Sequence, residues 1–341
     1  MLLLRKILIP LFFIINSVFT LEVTENTVDR GTISLNVGDV TIKPGAYWAI
    51  INNAVSAFVG KLDVQQGAGL YIASTSPLIA LQVTLTSLLN TINNDGIIVF
   101  DSRASLTAAT YNLVGLSFTN TGSMFLAGSG ILPSTMALTA ASWTNSGLIV
   151  FSQNQRNSGN VELGAALGTI TNDGQICLVN EVYAQKTRIN GNGCITATQD
   201  STIYISNSIL SIANTQSFYL ADSRSSIVAQ AVSGTQIFNV YGFGNGNKIG
   251  MTLPLLGYAF PSLPAVDYKT GTGTLTLRNL LVTQQFNIGP GYDPALFKIV
   301  TDDGAGIPST VLGSVQYNGP VPARALPAAC QIECRQIPDS P

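Results

Sequence analysis

The chain has 341 residues, of which 10% are charged and 46% hydrophobic, with a net charge of −2 and no histidine. So little charge leaves no basic field to hold a nucleic-acid backbone or an anionic membrane surface, while the apolar content excludes disorder by composition. The absence of histidine excludes every Ser-His or Cys-His nucleophile arrangement.

Residues 1–20 carry Arg5 and Lys6, an apolar run over 7–13, and the small or polar Asn16, Ser17 and Thr20. This is the three-part layout of a secretory signal peptide, with cleavage expected near Thr20. No later stretch reaches the roughly 18 apolar residues a spanning helix needs, so no direct membrane span is expected.

Next come copies of one pattern. TINNDGIIVF at 91–100, SFTNTGSMFL at 117–126, SWTNSGLIVF at 142–151, TITNDGQICL at 169–178 and RINGNGCITA at 188–197 align on Gly96, Gly122, Gly147, Gly174 and Gly193. A weaker copy at 62–73 contributes Gly69. Subtracting the five positions gives steps of 26, 25, 27 and 19 residues. Short alternating segments about an Asn-x-Gly turn, recurring in the twenties, predict a parallel β-solenoid with one repeat per coil. A sandwich or barrel explains strands but not this recurrence, and a leucine-rich repeat would need a different Leu and Asn spacing. Ile98 with Phe100, and Ile149 with Phe151, are predicted to point inward. Asn and Gly suit the corner because they tolerate the left-handed backbone region. Asn93 or Asn94, Asn120, Asn145 and Asn172 are placed to stack as an amide ladder.

The pattern stops near residue 235. GFGNGNKIG at 242–250 reads as a tight turn leading into a strand, since its spacing fits neither a dinucleotide nor a P-loop fingerprint. Segments 273–288 and 295–300 read as strands of a small β domain that covers the open end of the solenoid. The expected organisation is a signal peptide at 1–20, a β-helix domain at 21–240, a small β-sandwich cap at 241–335 and the start of a linker or tail at 336–341.

Cys177, Cys194, Cys330 and Cys334 travel with a chain routed to an oxidising compartment, so two disulfides are expected. Three pairings are open, and the reading leans towards the tail stapled back onto Cys177 and Cys194. A zinc site lacks both Cys-x-x-Cys spacing and histidine. No Asn-x-Ser/Thr acceptor occurs, which argues against heavy N-glycosylation.

Solenoids also carry polysaccharide lyases and hydrolases, which need paired carboxylates roughly 5 to 10 Å apart. The acids here are sparse: Asp63, Asp95, Asp101, Glu162, Asp173, Glu181 and Asp200. Asp95 and Asp173 fall at equivalent corners three coils apart and read as turn residues. Asp302 and Asp303, in TDDGAG, read as a turn beyond the solenoid. Trp48, Trp143, Tyr47 and Tyr71 are candidates for stacking on sugars, with Trp143 assigned to the core because Phe118 fills its slot in another repeat. No catalytic residue, cofactor site or metal site is assigned.

The repeats, GFGNGNKIG at 242–250, GYDPALFKIV at 291–300 and the closing cysteine pair together resemble the N-terminal domain of the hyphally regulated cell wall protein family of yeasts, over essentially the whole chain. The resemblance implies a right-handed parallel β-helix followed by a small β-sandwich, carried at the tip of a Ser/Thr-rich stalk with a glycolipid anchor. It also implies roles in adhesion, wall surface properties and host interaction. The chain ends at IPDSP without stalk or anchor signal, and is read as a fragment of a longer protein or as a released member.

The leading expectation is therefore a secreted, non-catalytic, monomeric module at the fungal cell wall, meeting host-cell or abiotic surfaces, wall polysaccharide or surface proteins. The alternatives are a polysaccharide-active enzyme on the same scaffold and a purely structural wall component.

Overall fold

The computed structural model describes residues 20–33, 36–85, 89–232 and 236–341. The predicted signal peptide, Thr20 apart, lies outside them. Among the described residues the structure is all-β, a solenoid of about nine turns with only two short 3-10 helices. Three sheets of 8, 13 and 12 strands, parallel except at the C-terminal end of the second and third, form its faces, here called sheets I, II and III.

Each turn places one strand on each face because the sequence alternates. In Thr91–Asn94, Ile97–Ser102 and Thr110–Leu113 the side chains at every second position are buried. Successive turns stack in register: Ile92 pairs with Phe118, Phe118 with Trp143, and Trp143 with Ile170. On sheet II, Ile98, Met124, Ile149 and Ile176 form a second inward column. Each column is fully buried, and every such side chain stabilises the fold by roughly 1.5–3 kcal/mol.

The corner between sheets I and II sets the stacking. Asn94 Nδ2 donates to Asn120 Oδ1 (2.7 Å), Asn120 Nδ2 to Asn145 Oδ1 (2.7 Å) and Asn145 Nδ2 to Asn172 Oδ1 (2.8 Å). All four amides are completely buried, so the ladder runs through Asn94, and Asn93 faces outward. The corner glycines serve a purpose other than the expected one. Gly96, Gly122, Gly147, Gly174 and Gly193 do not have positive φ. A Cβ on Gly122 would fall 2.1 Å from Gly96 O, and one on Gly147 would fall 2.1 Å from Gly122 O. Glycine is required because each corner backbone rests on the one below. The left-handed conformation is taken by other glycines of this corner, Gly45, Gly67 and Gly191 (φ 82, 75 and 97), and between sheets II and III by Asn52, Asn180 and Gln199 (φ 59, 54 and 58).

Beyond the last turns, the chain prolongs two of the three faces. Val282–Asn287 adds to Ile237–Tyr241 in parallel, with Phe286 opposite Phe238, and Thr274–Asn279 and Val266–Lys269 follow antiparallel. Thr310–Tyr317 joins Lys248–Met251 antiparallel and pairs with Phe297–Asp302. Leu275, Phe286, Val315 and Tyr317 belong to the same apolar core as the solenoid interior. Between the two extensions lies an aromatic cluster, with Phe243 stacked on Phe297 (6.3 Å) and Tyr292 edge-on to Tyr317 (4.8 Å). GFGNGNKIG is a turn into a strand. Gly242, Gly244, Asn245 and Gly246 have positive φ, and the Asn247 side chain bonds Gly244 N–H and Gly242 O before Lys248–Met251 begins.

Gly147→Ala is expected to lower unfolding stability by about 3 kcal/mol or more, because no soft neighbour can yield. Gly45→Ala, where φ is +82 and nothing lies within 4 Å, is expected to cost about 1 kcal/mol. Urea titration of both variants checks the contrast.

Candidate functional site

Sheet II presents an outward row that is mostly apolar on its middle turns: Val99, Phe125, Val150 and Cys177, continued by Thr196 and Tyr219. The C-terminal segment runs back across this row as a strap. Arg324 stacks on Tyr241 at 3.8 Å and donates to Val240 O and Asn287 O. Cys330 then bonds Cys194, and Cys334 bonds Cys177, so the three open pairings resolve to the one whose two bridges tie the strap to sheet II. Arg335 donates to Ser123 Oγ and lies over Phe125, and Ile337 is buried against Val99, Phe125 and Val150.

A trough of about 910 Å³ opens between the strap and the corner that joins sheets II and III. Its lining is rich in Ser, Thr, Asn and Gln, and Tyr219 and Arg103 also contribute.

The carboxylates singled out in the sequence do not converge on it. Asp63 pairs with Lys61 (3.2 Å), Asp101 takes two hydrogen bonds from the Arg103 guanidinium, Glu162 pairs with Lys186 (2.5 Å) and Asp200 with Arg156 (3.0 Å). Asp95 accepts from Thr121 Oγ1 (2.5 Å) and Asp173 from Asn192 N–H (2.8 Å), both as corner residues. Asp302 is buried on Lys248 (3.1 Å), while its neighbour Asp303 is exposed. Both tryptophans are internal: Trp143 packs on Phe118 at 5.0 Å, and the Trp48 indole N–H donates to Asp29 at 2.8 Å. Tyr47 and Tyr71 meet edge to face at 6.2 Å on the outside of sheet II.

Glu181 is the acid whose state the sequence does not reveal. It is 1% exposed at the corner before Val182–Ala184, and its Oε1 has no hydrogen-bond partner. Burial pushes its carboxyl up to about 8, although Gln153, the Val182 N–H and the Arg156 charge all favour the ionised form. The same region holds Arg156, whose Nε donates to Ala305 O (2.8 Å) and so anchors the TDDGAG loop on the solenoid wall.

Fold and site together define a parallel β-solenoid whose longest face is clasped by a disulfide-bonded strap. Residues 11–341 match the family described as Hyphally regulated cell wall protein N-terminal. The chain belongs to that family. It is 63% identical over 341 residues to Cell wall protein RBR3 of Candida albicans, covering 100% of this chain and 22% of that protein. It is 63% identical over 337 residues to Hyphally regulated cell wall protein 3 of the same organism, covering 99% of this chain and 27% of that protein. Cell wall protein IFF9, also from Candida albicans, is 59% identical over 337 residues, 99% of this chain and 36% of its own length. The chain thus spans roughly a fifth to a third of these relatives.

Two outcomes follow from the geometry. Cys177→Ser should cost about 2–5 kcal/mol, since it opens a loop of 157 residues and frees the strap, and thermal unfolding of the variant beside the parent tests this. Glu181→Gln tests the buried acid. Between its ordinary value of 4.5 and about 8 the unfolded chain releases a proton that the folded chain keeps, so parent stability falls as pH rises through this window. The Tm of the Gln variant relative to the parent should therefore climb from pH 4 to pH 8, and a difference that stays flat contradicts a protonated Glu181.

Proposed function

We propose that this chain is the outward-facing module of a secreted fungal cell-wall protein that works by adhesion or host interaction and not by catalysis. The observation that carries the reading is identity near 60% over the whole chain to proteins named as cell wall proteins. The local pairing of the carboxylates supports it, because a glycosidic bond needs two acids free to face each other. Its partners are host-cell or abiotic surfaces, wall polysaccharide or surface proteins. The solenoid is a right-handed parallel β-helix, the hand that parallel crossovers take in about 98% of cases. We assign 21–240 to the β-helix and read the antiparallel strands within 241–335 as its small β-sandwich cap, and a disulfide-locked monomer of this kind is suited to display at a cell surface.

Residues 21–341 displayed on a non-adherent yeast should raise its retention on plastic and on host matrix proteins above that of undisplayed cells. Wall glucan and mannan incubated with the same cells should release no reducing sugar. Release of sugar, or retention no better than the control, overturns the reading.

A further inference from the structure

The trough beside the strap has a built interior. Its floor is the third outward row of sheet II, where Ser152 pairs with Val179 and Val179 with Thr198 on successive turns. Along one rim stand Asn154, Asn180 and Gln199. Asn180 is held by donating to Gln153 O and Gln199 Oε1, both at 2.8 Å, and its left-handed backbone turns this amide cluster out at the corner. The opposite wall is the strap from Cys330 to Ile337, fixed by both disulfides. Beneath it lies Gln175, fully buried, whose Nε2 donates to Thr196 Oγ1 while its Oε1 has no partner. A buried acceptor left unpaired costs about 1–3 kcal/mol unless a donor reaches it.

The charges that line the trough balance one another. Arg103 is committed to Asp101, and Arg335 to Ser123 and the Phe125 ring, while Glu333 on the strap is exposed. Arg335 has no acid partner among the described residues, but Glu333 on the same strap offsets its charge, so the lining offers an anionic ligand no net positive charge. Tyr219 stands at the far end, half-buried, between the trough and a second cavity of about 380 Å³. From Ser152 to Ala221 the floor crosses four turns, about 14 Å at the strand spacing.

We propose that this trough binds an uncharged oligosaccharide laid along the solenoid axis. Its hydroxyls meet amides that both donate and accept, one hydroxyl donates to Gln175 Oε1, and a sugar ring packs on Tyr219. An extended peptide is the poorer fit, because the floor offers side chains where strand addition needs a free backbone edge. The inference deepens the surface-adhesion reading by naming one ligand class.

The test is calorimetric titration of residues 21–341 with laminaripentaose and mannopentaose, with a sulfated pentasaccharide and a soluble matrix peptide as comparators. At least one neutral pentaose should bind. Thr198→Arg, which fills the floor, and Tyr219→Ala should each weaken it tenfold or more with unfolding temperature unchanged. If Thr198→Arg lowers that temperature, Ser152→Arg takes its place. Binding of neither pentaose, binding unaffected by the floor variants, or preference for the sulfated sugar or the peptide overturns the inference. The floor variant displayed on cells separates the two readings. Attachment retained while the parent binds no pentaose sinks the trough and spares adhesion, whereas pentaose binding without attachment does the reverse.

Discussion

Everything in this fold depends on how closely one corner rests on the next. The glycines after the ladder asparagines let backbone sit on backbone at distances no side chain tolerates, and Thr121 N–H and Gly122 N–H both reach Asn94 O. The ladder amides above and below then fall within hydrogen-bond reach. Because a one-residue slip in a strand moves every inward side chain outward, fixing one corner per turn fixes the register of all three sheets. Between sheets I and II the link holds at two residues over the four laddered turns, 95–96, 121–122, 146–147 and 173–174, and larger variation falls at the other corners. Between sheets II and III the link shortens from residues 103–109 and 154–159 to residues 180–181, and the repeat step drops from 27 to 19. That short link is made possible by the left-handed Asn180, and it draws Glu181 inside.

The strap solves a different problem. A parallel sheet is ordinarily covered on both faces, and the outward row through Val99, Phe125 and Val150 is apolar on the side away from the core. The covering segment buries little of its own: Ile337 and Cys330 are its buried apolar residues. Packing of that size does not repay ordering some twenty residues at about 1–2 kcal/mol each. Covalent closure lowers the cost by removing freedom from the unfolded chain, and the two bridges span 157 and 136 residues, long loops for which that effect is largest. Two guanidinium contacts, Arg324 on Tyr241 and Arg335 over Phe125, add attraction where apolar contact is thin.

The repeat was legible because strand alternation and corner chemistry are both local. Ile98, Phe100, Ile149 and Phe151 point inward as their spacing requires, and the choice between Asn93 and Asn94 follows from the pleat once Ile92 is known to be inside. Corner glycine was legible in position but not in cause, since close approach between turns is a property of stacking and leaves no mark within one repeat. Beyond residue 251 the strands within 273–288 and 295–300 were legible as strands, whereas Val266–Lys269 and Thr310–Tyr317 were not read from the sequence. Their joining of sheets II and III depends on pairings such as Phe286 with Phe238, 48 residues apart, which alternation does not encode. The strap's route was legible only through its cysteines, because residues 318–337 have no period. Trp48 and Glu181 belong to the same class: their burial is decided by what neighbouring turns supply, Asp29 for the indole and a shortened corner for the acid.

The distribution of charge connects this architecture to its surface chemistry. Six ion pairs take up six of the basic side chains and as many acids among the described residues, and two of them, Lys61 with Asp63 and Arg103 with Asp101, join residues of the same strand or its corner. The exposed pairs among them contribute little to stability, about 0–1 kcal/mol each. Their effect on recognition is larger, because a charge matched at short range projects little field beyond a Debye length of about 8 Å. What the long face offers a partner is then set by amides, hydroxyls and a few aromatic rings. Contacts of that type act at hydrogen-bond range and are weakly screened by salt, so attachment through them persists across the ionic strengths an extracellular surface meets.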